Sequence, residues 1–135
     1  MIAGLLLLAA GLLFGLTGAW QYLVPGSLKE YLSFERIRPL HVSSVVFWII
    51  FGATGAVLTY LQQYTGKKLF SPMLVKIQLT IFALSVIAIL ISYTAGIFGG
   101  REYWEFHPAL AIPIAAGWIL FIINFIQSIS SFRNQ

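Results

Sequence analysis

The stretch PLHVSSVVFWIIFGATGAVLTYLQQYTG, residues 39–66, decides the fold class because it contains no Asp, Glu, Lys or Arg. A helix needs about 20 apolar residues to cross ~30 Å of hydrocarbon, and this run is longer than that. Three further uncharged runs, 1–28, 77–100 and 106–132, are long enough as well. The prediction is an all-α membrane protein with four transmembrane helices at about 2–24, 40–63, 72–98 and 108–131, forming a single transmembrane domain over 1–135.

The composition agrees: 59% of residues are hydrophobic and 9% charged, whereas soluble domains carry about a quarter charged residues. Without cysteine there is no disulfide, no thiolate metal site and no covalent haem attachment. The eight Lys and Arg are scattered over the loop ends rather than gathered into a stripe, so they read as anchors to membrane lipids and exclude nucleic acid as a partner. The first run lacks a basic leader and reads as a retained helix, not a signal peptide. Within it, the step from Gly11 to Gly15 is the small-residue spacing that lets a second helix approach closely. Pro39 suits the first turn of the second helix, and Pro113, one turn into the fourth, is expected to bend it.

Four spans put the connections 26–38 and 101–107 on one membrane face, here the loop face, and both termini with the second connection on the other. Glu30, Glu35, Glu102 and Glu105 all fall on the loop face, while Lys67, Lys68, Lys76 and Arg133 stand on the terminal face without an acid. Lys and Arg tie at four on each face, so the positive-inside rule leaves the orientation open.

His41 is an ionisable group one turn into the second span, and such a residue is a functional candidate by default. A neutral imidazole there can supply an axial nitrogen to a haem iron or exchange protons with a carboxylate or quinone; alternatively it bonds a neighbouring carbonyl. Steps of three and four from His41 pass Ser44, Val45, Trp48, Gly52, Gly55 and Thr59, a face with room for a flat macrocycle or for a tightly crossing helix. Arg38 and Arg36 stand just above it, where haem propionates would emerge or where headgroups are anchored. Glu102 and Glu105 are candidates for a hard-cation site such as Ca²⁺ or for proton transfer, with an ion pair to Arg101 as the plain alternative. His107 is a candidate second ligand in a self-contained bis-His cytochrome b. Gln78, Ser85, Ser92, Asn124 and Gln127 are expected to bond across to neighbouring helices.

Two motifs carry a family resemblance. Phe34-Glu35-Arg36-Ile37-Arg38-Pro39-Leu40-His41 and Gly100-Arg101-Glu102-Tyr103-Trp104-Glu105 resemble the corresponding stretches of haem-copper oxidase subunit I. The nearest branch is that of cbb3-type cytochrome c oxidases and nitric oxide reductases. The resemblance implies helices I to IV of a twelve-helix subunit, with His41 as an axial ligand of the low-spin haem b and Arg38, and more weakly Arg36, beside its propionates. It further implies Glu102 and Glu105 as carboxylates that support a calcium ion bridging the haem propionates or take part in proton entry, and a periplasmic loop face in a bacterial inner membrane. His107 matches no family ligand. After the histidine, Val42-Ser43 replaces the Thr-Asn often found in the family.

A complete catalytic subunit of that kind needs two histidines for the low-spin haem, one for the high-spin haem and three for the neighbouring metal; this sequence has two in all. The expectation is therefore an N-terminal part or split subunit, with no copper and no catalytic residue of its own. It would deliver electrons from a cytochrome c partner toward a binuclear centre on another chain holding the remaining helices. The alternatives are a cofactor-free membrane packing subunit and the self-contained cytochrome.

Overall fold

A computed structural model describes residues 2–133; the side chain of Arg133, counted above on the terminal face, lies outside the described part. The helices are α1 (Ile2–Leu23), α2 (Phe34–Thr65), α3 (Pro72–Thr94) and α4 (Ala111–Arg133), with a 3₁₀ turn at Pro108–Leu110 leading into α4. All four spans are long and apolar enough to cross a membrane, and there is no strand among the described residues, only an isolated bridge between Arg101 and Trp104. Consecutive helices pack against each other, most extensively α1 on α2 and then α3 on α4.

Glycines make the α1–α2 seam. Gly4, Gly11 and Gly18 are the buried residues of α1, and a Cβ on Gly11 would lie 2.9 Å from Val45 Cγ2, one on Gly18 3.3 Å from Ile37 Cγ2. Helix α1 thus lies along the same face of α2 that carries His41, Ser44, Val45 and Trp48. Farther along that face, Gly52 and Gly55 have nothing within 4 Å of a built Cβ, and Gly52 shares a small cavity with Gly4 and Leu5 of α1.

Helix α2 starts at Phe34, ahead of the expected start at Pro39, which sits inside the helix. The Ser33 carbonyl accepts from the N–H groups of Arg36 at 2.9 Å and Ile37 at 3.0 Å. Phe34 meets Tyr22 edge-on at 5.1 Å, and Ile37, 1% exposed, is buried over Gly18. These contacts hold the extra turn, while Pro39 costs a single ladder bond near the helix start. Helix α3 stops at Thr94 rather than near 98: Gly96 takes a φ of +74°, and the Ile97 N–H turns back to the Ser92 carbonyl at 2.8 Å, a left-handed helix termination that glycine favours. Pro113 falls in the first turn of α4, where a helix has no ladder bond to lose, so the expected bend gives way to the 3₁₀ turn before it.

Polar groups in the spans divide. Asn124 Oδ1 accepts from the Ser71 N–H at 3.0 Å and Ser128 Oγ from the Phe70 N–H at 2.9 Å, so α4 holds the entry to α3. Ser92 bonds within its own helix, and the buried Gln78 and Ser85 side chains have no partner among the described residues, contrary to the expected cross-helix bonds.

The core runs through Leu40, Phe47, Phe51, Phe82, Val86, Ile89, Tyr93 and Phe106. Phe82 is fully buried and is met by Phe51 at 6.2 Å and Trp118 at 5.7 Å. A Cβ on Gly117 would fall on its ring edge. Gly117→Val should therefore destabilise the chain by about 1–3 kcal/mol through overpacking. Gly52→Ala should cost nothing in the isolated chain and gain up to ~1 kcal/mol of helix propensity; thermal unfolding in detergent checks both.

Candidate functional site at the loop face

His41 is half-buried under α1. Its Nδ1 lies 2.7 Å from the Gly11 carbonyl; a carbonyl only accepts, so Nδ1 carries the proton and donates. Gly15 completes the cradle, since a Cβ there would stand 2.9 Å from Nδ1 and 3.0 Å from Cε1. In the neutral ring the other nitrogen, Nε2, then holds a lone pair. It has no hydrogen-bond partner and is not among the enclosed unpartnered atoms of the described residues. The carbonyl bond foreseen as the plain reading of His41 is thus present, and it leaves the coordinating nitrogen open.

His107 is built differently. It caps the 3₁₀ turn, is exposed, and its Nδ1 accepts from the Ala109 N–H at 3.2 Å. In the neutral form its proton then sits on Nε2, which is a donor and offers no lone pair to a metal.

One turn before His41, Arg38 joins the two candidate carboxylates. Its Nη2 pairs with Glu105 Oε1, and its Nη1 is 4.0 Å from Glu102 Oε1. The Glu105 side chain is 13% exposed, against 40% for Arg38 and 72% for Glu102, so the inner carboxylate has the close partner. A tight backbone hairpin aims Glu105 inward: the Gly99 N–H donates to the Glu105 carbonyl at 2.9 Å and the Trp104 N–H to the Arg101 carbonyl at 2.7 Å. Tyr103 takes a φ of 64° at the turn, and Gly100 has no room for a side chain, because a Cβ there would run into the Trp104 carbonyl. A cavity of about 600 Å³ opens beside this hairpin, lined among others by Glu102, Trp104 and Phe106.

Arg36 is not part of that cluster. It donates to the Thr94 carbonyl at 3.1 Å and packs beneath Gly96, whose built Cβ would be 3.1 Å from Nη2, which ties α2 to the end of α3. Ser43, two residues after His41, donates to the Tyr93 hydroxyl at 3.4 Å. Sequence reasoning missed the Arg38–Glu105 pairing, for which the only signal was opposite charge on one membrane face. It named Gly11 and Gly15 as a packing step without linking them to His41.

Removing Arg38 would strand an almost enclosed carboxylate. Arg38→Met should destabilise the chain by about 2 kcal/mol, below the 3–5 kcal/mol of a fully buried pair because the guanidinium is partly exposed. Arg38→Met/Glu105→Gln should recover much of that loss in thermal unfolding, as a double-mutant cycle would show.

Residues 1–135 match the family described as cytochrome c and quinol oxidase polypeptide I. A cytochrome c oxidase subunit 1 homolog of Agrobacterium tumefaciens (strain T37) is 31% identical over 88% of this chain and 22% of its own length. A nitric oxide reductase polypeptide of Stutzerimonas stutzeri is 29% identical over 68% of the chain and 19% of its own length. Cytochrome c oxidase subunit 1 of Rhodobacter capsulatus is 29% identical, covering 88% and 24% respectively. The chain spans about a fifth to a quarter of the relatives it matches, and the match over its whole length places it in the cytochrome c and quinol oxidase polypeptide I family.

Proposed function

We propose that this chain is the N-terminal part of a respiratory haem-copper oxidase or nitric oxide reductase catalytic subunit, with His41 as one axial ligand of a low-spin haem b. The observation that carries the reading is the 2.7 Å bond from His41 Nδ1 to the Gly11 carbonyl. A metal-binding histidine commonly donates its second nitrogen to a carbonyl or carboxylate, which fixes the tautomer and makes the ligating nitrogen more basic. Gly11 provides that carbonyl and Gly15 keeps the ring in place, so Nε2 is presented as a preoriented donor. Haem, when bound, supplies a one-electron couple. Arg38, one turn toward the loop face, retains donors beyond the one given to Glu105 and is the residue placed to meet a propionate; Arg36, committed to the Thr94 carbonyl, is the weaker candidate.

In this reading the second axial ligand and the binuclear centre belong to the remaining helices of such a subunit, outside these 135 residues. Electrons arrive from a cytochrome c partner, and loops 26–38 and 101–107 face the periplasm from a bacterial inner membrane. The His107 tautomer argues against the self-contained cytochrome, because His107 Nε2 keeps its proton.

A reduced-minus-oxidised visible spectrum and pyridine haemochrome assay on the gently solubilised native complex should show haem b, and mass spectrometry should identify the polypeptide that carries the remaining helices. His41→Ala should abolish the low-spin signal and His107→Ala should leave it; the opposite pattern overturns the assignment. No haem at all would leave a cofactor-free packing subunit. Gly15→Val, which displaces the imidazole, should weaken haem retention by about 10–100-fold, the cost of losing a supporting hydrogen bond to a ligand histidine.

A further inference from the structure

The resemblance to haem-copper oxidases implies a calcium ion on Glu102 and Glu105, and the residues present do not fit one. A calcium site assembles six to eight oxygens around a vacant centre, several of them carboxylate. Here both candidate carboxylates converge on the Arg38 guanidinium, Glu105 in direct contact and Glu102 at 4.0 Å. No group of three or more His, Cys, Asp or Glu among the described residues is arranged to hold a metal ion.

We propose that Arg38 is the permanent counter-cation of this loop and that the chain holds the 99–107 hairpin without a divalent ion. Charge supports this. Glu102 and Glu105 are balanced by Arg38 and by Arg101 of the same hairpin, so the loop offers no net negative charge to draw in a double positive charge. Geometry supports it independently. The inner carboxylate is only 13% exposed and already has its charged partner, and a calcium ion would have to expel the guanidinium from that contact. Expulsion would cost Arg38 its contact with the carboxylates it now joins. The hairpin does not yield either, since the Gly99–Glu105 backbone bond and the closed space at Gly100 set where Glu105 points. A guanidinium carries its charge at any working pH and needs no supply of metal. The loop would therefore be ordered as soon as the chain folds. Arg38 is a positioning residue here, acting on the hairpin through Glu105.

The test uses the native complex. Metal content is measured by inductively coupled plasma mass spectrometry after preparation in calcium chloride and removal of free ion, and thermal unfolding is compared in calcium chloride and in EGTA. The expected result is no stoichiometric calcium and the same midpoint in both buffers, since an ion that bound the folded state would raise it by mass action. Arg38→Lys should keep the insensitivity, because it keeps the positive charge. Arg38→Met should lower the midpoint and make it rise again with calcium, as the unpaired carboxylates accept the ion. One calcium per chain in the wild-type complex, lost in Glu105→Gln or Glu102→Gln with a matching drop in midpoint, would overturn the proposal. So would an Arg38→Met complex indistinguishable from wild type in both measurements. Haem content of the same samples reports separately on His41.

Discussion

The close approach of α1 to α2 is the constraint on which the loop-face site depends. In lipid there is little hydrophobic drive between helices, so contact rests on packing and on hydrogen bonds. Gly4, Gly11, Gly15 and Gly18 bring the α1 backbone onto α2, and only at that separation can a main-chain carbonyl of one helix reach an imidazole of the other. The Gly11 carbonyl also serves its own helix, and a carbonyl oxygen has two lone pairs to give. The same glycines that make the seam therefore set the ring plane, the tautomer and the open nitrogen of His41.

From that seam the organisation moves upward toward the membrane surface. The additional first turn of α2 carries Arg36 and Arg38 above His41, and the two arginines act in different directions. Arg36 closes α2 onto the end of α3 through a carbonyl, whereas Arg38 closes α2 onto the hairpin between α3 and α4 through a carboxylate. The end of α3 and the hairpin are thus both pinned to α2 within two helical turns of the histidine. Farther down α2, a built Cβ on Gly52 or Gly55 would meet nothing within 4 Å.

The parts legible in the sequence were those governed by composition and local pattern. Uncharged runs marked the spans, and the Gly11–Gly15 step marked a close crossing. The start of α2 was not legible, because Pro39 is a strong local signal that was outweighed by Phe34 on Tyr22 and Ile37 on Gly18, contacts made across the chain. His41 stood out as an ionisable residue in an apolar run, yet its tautomer depends on a backbone carbonyl that no sequence pattern records. The Arg38–Glu105 pair joins residues far apart in the chain, and several combinations of loop charges were equally compatible with the sequence. Phe82 over Gly117 had no signal at all, since a glycine in a span says that something fits there and not what.

The hairpin before α4 also bears on how the protein tolerates change. Gly100 carries no charge of its own, but any side chain at that position displaces the Trp104 carbonyl and crowds the Glu105 backbone, and with them the turn that presents the carboxylate. Residue 100 and residue 105 therefore belong to one genetic unit: a substitution at the glycine would have the phenotype of a lost charge, and a variant restoring function would have to rebuild the turn, not the electrostatics.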